Sequence, residues 1–215
     1  MRAAIRGSIV TAIVGAALVL AATTSAAATT TCNGPLAPGA YTRLVVPDGA
    51  TCIGEGHVTI NGGVSVGAGA TFLLGDEGTP DATSVINGGV QATNPKNLQI
   101  HFTTLNGGID SHGGSGPFGG PFGVTWITIE DSNISGKVTI DGFNGFWMGF
   151  IRNHVNGAVS LNNNVLVDDD GNEYVTNNIN GGLNCSGNVP APQIGDSEGS
   201  PNQVNGRKTG QCAAV

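Results

Sequence analysis

Positive charge is scarce in this sequence, and charged residues of either sign are few. Lys and Arg together number 8 in 215 residues, charged residues make up 11% of the chain, and the formal net charge is −7. No basic run is present, which excludes binding to nucleic acid through a polybasic segment. The low charge fraction and the many β-branched residues also argue against a disordered chain, so we expect one folded domain.

Apolar runs long enough to cross a bilayer are absent. The longest run, residues 9–22, has about 14 residues and follows the basic residues Arg2 and Arg6. A stretch of small residues then ends near Ala28. This order predicts a secretory signal peptide over 1–28, removed on export, rather than an uncleaved anchor. We therefore expect a protein that is secreted to the medium or the cell envelope, with no stable membrane anchor.

Paired metal-binding motifs are also absent. The four cysteines include no C-x-x-C, and no paired histidines accompany them, so a cysteine–histidine zinc site is not indicated. Export permits disulfides, and four cysteines allow three connectivities. We favour Cys32–Cys52 and Cys185–Cys212, because each pair is local and lies near one end of the chain. We predict no cofactor.

The sequence does contain an internal repeat. An apolar residue, Asn or Ser, Gly, a variable residue and a second apolar residue recur six times at intervals of 19 to 29 residues. The copies begin at Ile60, Ile86, Leu105, Ile134, Val155 and Ile179. Repeats of this period indicate a repeat architecture.

Asn-Gly between apolar residues also marks β-hairpins, so an antiparallel meander or sandwich is the competing interpretation. Turns in a sandwich should recur every 8–12 residues or so, about half the interval found here. The flanking strands repeat as well, as "IEDSNISGKVTI", "FIRNHVNGAVSL" and "YVTNNINGGLNC" show. These features favour an all-β, single right-handed parallel β-helix of about six or more rungs, with the hand chosen from the usual crossover rule.

In such a coil the repeated residues should stack in columns. Asn and Gly tolerate left-handed backbone angles, which suggests that they form a bend. We expect a hydrogen-bonded ladder of Asn61, Asn87, Asn106, Ser135, Asn156 and Asn180. The domain prediction is a signal peptide at 1–28, a disulfide-closed N-terminal cap at 29–52, the β-helix at 53–184, and a non-repetitive, disulfide-closed C-terminal cap and tail at 185–215.

Three segments resemble a known group of proteins. The N-terminal "PLAPGAYTRLVVPDGATC", the N-G-x-V rungs and the C-terminal "GSPNQVNGRKTGQC" are similar to those of small secreted proteins of high-GC Gram-positive bacteria. The resemblance covers essentially the whole chain after the leader. It implies a pectin-lyase-like β-helix architecture and an extracellular location, and it implies no reaction.

Candidate catalytic residues are few. Rung alignment places Arg152 over Glu130 or Asp131, an arrangement that fits an ion pair between rungs as well as a catalytic base. The acidic run Asp168, Asp169 and Asp170 offers weak candidate ligands for calcium, but it lacks the spacing of a known calcium loop and is more typical of a solvated loop tip.

Candidate binding residues lie in the aromatic part of the chain. Trp147 belongs to "FNGFWMGF", where some rings could form a strip for stacking on sugars or could all be buried. His112, Phe118 and Phe122 lie in a Gly-rich segment that fits either a ligand contact or a loop.

The resulting functional prediction is a monomeric, non-catalytic structural or binding protein, whose partner is an extracellular polysaccharide or cell-wall glycan. The alternative is a pectin-lyase-like polysaccharide lyase or glycoside hydrolase.

Overall fold

The chain forms a parallel β-helix. The computed structural model describes residues 28–114, 116, 125–195 and 199–215, so the predicted leader lies outside the described residues except for Ala28. The chain passes through sheet C, then sheet A, then sheet B in each turn, and every neighbouring pair of strands in these sheets is parallel. The prediction of an all-β parallel coil is confirmed.

The three sheets run the length of the coil. Sheet A has nine strands: Thr29–Thr31, Arg43–Val46, Val64–Val66, Val90–Thr93, Ile109–His112, Val138–Asp141, Val159–Asn162, Leu183–Ser186 and Lys208–Gly210. Sheet B has seven strands: Gly34–Pro35, Thr51–Gly54, Thr71–Leu74, Asn97–His101, Trp126–Glu130, Trp147–Ile151 and Glu173–Val175. Sheet C has eight strands: Gly39–Tyr41, Val58–Ile60, Ser84–Ile86, Thr103–Leu105, Asn133–Ile134, His154–Val155, Asn178–Ile179 and Gln203–Val204. A small fourth sheet pairs Asn144–Gly145 with Val165–Leu166.

The core consists of apolar columns that run from rung to rung. The first apolar residue of each repeat pairs with its counterpart in the next copy, from Ile60 through to Ile179. The second does the same, from Val64 to Leu183. Both columns are almost fully buried. Burial of apolar surface, at roughly 25 cal/mol per Å², therefore holds the repeats in register.

The bend between sheets C and A carries the expected Asn ladder. Asn87 Nδ2 donates to Asn61 Oδ1 at 3.3 Å, and Asn106 Nδ2 donates to Asn87 Oδ1 at 2.7 Å. A second run joins Asn156 and Asn180 at 2.8 Å and continues to Asn205. Between the two runs lies Ser135, whose shorter side chain makes no ladder hydrogen bond to Asn106 or Asn156 among the described residues.

The reason expected for glycine at this bend is wrong. None of the described repeat glycines has a positive φ, whereas glycines in other bends do. The repeat glycines instead lie against the backbone of the neighbouring rung. A Cβ on Gly88 would lie 2.6 Å from the carbonyl carbon of Gly62, and one on Gly136 would lie 2.5 Å from the backbone nitrogen of Gly108. Glycine is required because the rungs approach closely there.

A disulfide lies near each end of the coil, and both predicted pairs, Cys32–Cys52 and Cys185–Cys212, are confirmed. The segment 29–52, predicted as an N-terminal cap, is itself part of the coil, because its strands pair with those of the next rung in all three sheets. The C-terminal segment differs from the prediction of a non-repetitive cap. Gln203–Val204 and Lys208–Gly210 extend sheets C and A, so this segment contains a further rung. A 3₁₀ turn, Gln211–Ala214, then ends the structure. Among the described residues, no helix has the length and hydropathy needed to cross a membrane.

Candidate functional site

The principal cavity of the described structure is a groove on the outer face of sheet B. It has a volume of about 710 Å³. Most of its lining comes from five consecutive sheet B strands and the residues next to them, and Asp168 comes from the segment after Val165–Leu166. The lining residues are Ile53, Glu55, Leu73, Gly75, Asp76, Glu77, Gln99, His101, Trp126, Thr128, Glu130, Phe146, Trp147 and Asp168.

Strand alternation explains why polar side chains form the floor of this groove. In Asn97–His101 and Trp126–Glu130, the residues Leu98, Ile100, Ile127 and Ile129 point into the core. Alternate residues of a strand face opposite sides of the sheet. Gln99, His101, Thr128 and Glu130 therefore face outward, and the register pairs Gln99 with Thr128 and His101 with Glu130.

Two tryptophans form one wall of the groove. Trp126 and Trp147 are paired on adjacent strands, with ring centroids 5.9 Å apart and planes at 57°. Both are half-buried, and Phe146 lies beside them in the lining. Gly149 makes this arrangement possible, because a Cβ there would collide with the Trp147 ring. The neighbouring rings of Phe143 and Phe150 are buried in the core. The aromatic segment is thus divided between the core and the groove.

Several polar atoms on the groove floor and wall have no partner. Gln99 Nε2, His101 Nδ1, Trp126 Nε1 and Thr128 Oγ1 are buried and make no hydrogen bond within the described structure. Buried polar atoms in folded proteins are nearly always hydrogen-bonded to protein or to water. Four unpaired atoms in one cavity therefore indicate a surface that hydrogen-bonds to water or to a ligand inside the groove.

The groove is acidic. Glu55, Asp76, Glu77, Glu130 and Asp168 line it, and none of the described lining residues is Lys or Arg. Burial raises the pKa of Glu130 to about 8, and the hydrogen bond and negative charge of Glu77 act in the same direction. Burial lowers the pKa of His101, although the charges of Glu77 and Asp131 oppose that shift.

Arg152 lies at the edge of this cluster and pairs with two carboxylates. Its Nε and Nη2 donate to the two oxygens of Asp131, both at 2.8 Å, and Nη2 also donates to Glu130 Oε2 at 3.1 Å. The hydrogen bond from Arg152 to Asp131 raises the pKa of the guanidinium. The two weak catalytic candidates, Asp131 and Arg152, thus form the ion pair between rungs that the alignment allowed, and neither lines the cavity.

The other candidate residues are distributed as follows. Trp147 lies in the groove, whereas His112 lies on the outer face of sheet A, bonded to Asp110 at 3.1 Å. Phe118 and Phe122 lie outside the described residues. Asp168 lines the groove, but Asp169 and Asp170 are exposed, so the acidic run does not converge on one point.

Sequence reasoning missed most of the groove, including Gln99, His101, Thr128, Glu130 and Gly149. A signal for them was present. Aligning "LQIH", "ITIE" and "MGFI" as successive strands of one sheet would have separated the inward apolar positions from the outward Gln-His, Thr-Glu and Gly-Ile positions. The Asn-Gly repeat marks the bend between sheets C and A, which is not part of the groove.

Comparison of the chain with protein-family models, with curated proteins and with solved structures finds no match. The groove is therefore the main evidence on function.

Proposed function

We propose that this protein is an extracellular carbohydrate-binding protein that holds an uncharged glycan in the groove of sheet B. The observation that carries this proposal is the combination of a tryptophan pair with four buried, unpartnered polar atoms in one cavity. Ligand sites in proteins typically combine apolar or aromatic walls with a few oriented polar groups. A sugar matches both, since it offers a C–H face to an aromatic ring and hydroxyls to polar atoms.

The length of the groove favours an oligosaccharide over a single sugar. The lining spans five strands of sheet B, from Ile53 to Trp147. Neighbouring strands lie about 4.8 Å apart, so this part of the groove extends roughly 19 Å along the coil. A chain-like ligand running along the coil axis can therefore contact the Gln99 and Thr128 rungs and the tryptophans together.

The charge of the groove favours an uncharged ligand. A polyuronate would bring carboxylates next to Glu55, Asp76, Glu77 and Asp168, and unscreened like charges repel. This argues against the alternative prediction of a lyase acting on acidic polysaccharide. The two disulfides support an oxidising environment and thus a location outside the cytoplasm.

A glycan array probed with the full chain, expressed with its own leader and collected from the medium, tests the proposal. We expect retention on uncharged oligosaccharides of several residues and little on polyuronates, with quenching of tryptophan fluorescence on binding. Binding to polyuronates in preference to uncharged glycans, or no binding to any glycan, would refute it. Release of shortened products from a bound glycan would show that the protein is an enzyme and contradict the non-catalytic prediction.

A shape-matched variant tests whether the groove is the site. Thr128→Val removes a hydroxyl that has no partner in the described structure, so we expect unchanged thermal stability. Glycan affinity should fall by about 5-fold or more, because a hydrogen bond is worth roughly 1 kcal/mol. Unchanged affinity would place the ligand elsewhere on the coil.

A further inference from the structure

Three side chains near the carboxyl ends of the three middle strands of the groove converge in a way that carbohydrate binding does not require. Glu77 comes from the excursion 75–83 between sheets B and C, and His101 and Glu130 come from adjacent strands of sheet B. One nitrogen or oxygen atom from each lies within 4.8 Å of the other two. His101 Nδ1 and Glu77 Oε1 are 4.0 Å apart.

We propose that Glu77, His101 and Glu130 bind a divalent transition-metal ion, with zinc as the best match. One imidazole nitrogen and two carboxylate oxygens form a mixed nitrogen and oxygen donor set, which suits zinc better than calcium or magnesium, since these prefer oxygen alone. Three protein ligands also leave a fourth tetrahedral position for water or a ligand atom. That position would lie in the groove, because all three residues line it.

His101 provides the second, independent observation. Its side chain is 5% exposed, and Nδ1 has no hydrogen-bond partner in the described structure. The same nitrogen is the one nearest to Glu77. A buried imidazole nitrogen left unpaired and directed at a carboxylate is arranged to bind something between them.

The surrounding charges orient the proposed ligands. Arg152 donates to Glu130 Oε2 at 3.1 Å and is itself held by Asp131 through two hydrogen bonds of 2.8 Å. Such outer contacts are typical of metal sites and fix the direction of the coordinating carboxylate. The guanidinium carries one positive charge, and it faces the carboxylates of Glu130 and Asp131.

A second histidine cluster provides a matched control. On sheet A, His112 Nε2 lies 3.1 Å from Asp110, and its Nδ1 lies 3.9 Å from Asp141. These three side chains are about half exposed, and both nitrogens of His112 already face carboxylates. This cluster has one histidine and two carboxylates, as the proposed site does. Its side chains are not buried, however, and neither nitrogen of His112 is left without a carboxylate nearby.

Zinc titration of the secreted, chelator-treated protein against a chromophoric competitor tests the proposal. We expect one zinc ion per chain and a rise in Tm on binding. Glu77→Gln should weaken zinc binding by at least about 10-fold, since loss of even an outer-shell partner costs roughly 10–100-fold. The Glu77 side chain is 65% exposed, so this variant should fold normally even if His101→Ala does not. His112→Ala should bind zinc as the wild type does.

Several results would overturn the assignment. These are the absence of a stoichiometric zinc ion, equal affinity in Glu77→Gln and wild type, loss of zinc in His112→Ala, or calcium binding in preference to zinc. X-ray absorption of the zinc complex should show a histidine nitrogen, and a shell of oxygens alone would refute the role of His101. The titration contains no carbohydrate, so its failure leaves the glycan proposal standing, and glycan retention measured in chelator tests that proposal separately.

Discussion

The bend between sheets C and A and the bend between sheets B and C both turn the chain from one sheet into the next, but their backbones do so in different ways. At the first, glycines let the backbones of successive rungs touch, and a column of exposed Asn side chains runs along the outside. At the second, non-glycine residues adopt left-handed angles: Phe102 (φ 47°), Asp131 (49°), Arg152 (56°) and Thr176 (58°). Such angles are uncommon outside glycine, asparagine and aspartate.

A buried Asn column stabilises the second bend. Asn153, Asn177 and Asn202 point inward, and each accepts a hydrogen bond from the backbone N–H of the corresponding residue in the preceding rung. Their amides donate to strand carbonyls of Ile129, Phe150 and Tyr174.

The two bends differ in the side chains and inserted segments that they can accommodate. At the C–A bend the glycine positions lie too close to the neighbouring rung for any side chain. The B–C bend accommodates Arg152, Asp131 and the whole excursion that carries Glu77. The groove lies on the outer face of sheet B, and the excursion at 75–83 contributes Asp76 and Glu77 to it.

The sharpest way to separate the two bends is to remove one asparagine from each. Asn177→Ala should lower the free energy of unfolding by about 4 kcal/mol, because it leaves several buried polar groups unpaired at roughly 1–3 kcal/mol each. Asn180→Ala, at the exposed column, should cost about 0.5 kcal/mol, since water replaces the lost hydrogen bonds. Chemical denaturation measures both, and equal losses would contradict the distinction.

Adding one methyl group tests the difference in backbone contact. Gly88→Ala should cost about 3 kcal/mol, because its Cβ would lie 2.6 Å from three backbone atoms of the previous rung. Gly142→Ala is the matched control in a looser bend, where φ is +77° and the nearest atoms lie 3.8 Å away. It should cost about 1–2 kcal/mol, from its left-handed angle alone. A larger loss in Gly142→Ala would show that backbone angle outweighs contact between rungs.

Ligand binding should depend on the sheet B side of the coil alone. Trp147→Ala should weaken glycan binding by about 30-fold, or roughly 2 kcal/mol, as expected for a central aromatic contact. Thr139→Ala, on the outer face of sheet A, should leave affinity unchanged. Affinity chromatography or fluorescence titration on the glycan found by the array gives both values, and a reversed order would move the site to sheet A.

The last prediction concerns the pH dependence of stability. The folded protein holds a proton on Glu130 up to about pH 8, whereas the unfolded chain releases it near 4.5. The stabilising contribution of this carboxyl is therefore fully present below about pH 4.5 and is lost as pH rises through about 8. In chelator-treated protein, Tm should fall between pH 5 and 8 more steeply in the wild type than in Glu130→Gln. Parallel curves would show that Glu130 is ionised in the fold.

The repeat predicted more of the coil than of the site. Its apolar positions gave the columns beginning at Ile60 and Val64, its Asn positions gave most of the exposed ladder, and the cysteine positions gave both disulfides. The repeat did not predict the bend between sheets B and C. The residues with left-handed angles there share no residue type that marks such an angle; they are Phe102, Asp131, Arg152 and Thr176. The repeat also did not predict the last rung, since Asn205 and Gly206 lie in a segment rich in Pro and Gly, which is more typical of a cap.

The amino-acid sequence by itself determined that the chain coils, because apolar residues spaced one rung apart can all be buried only when the rungs stack. It also favoured one of the three possible cysteine pairings, since each of those two pairs is close along the chain, and the structure confirmed it. Only the tertiary structure decided which polar residues meet. Glu77, His101 and Glu130 come from successive rungs, and their convergence depends on strand register and on the path of the excursion at 75–83, neither of which is encoded by a local pattern.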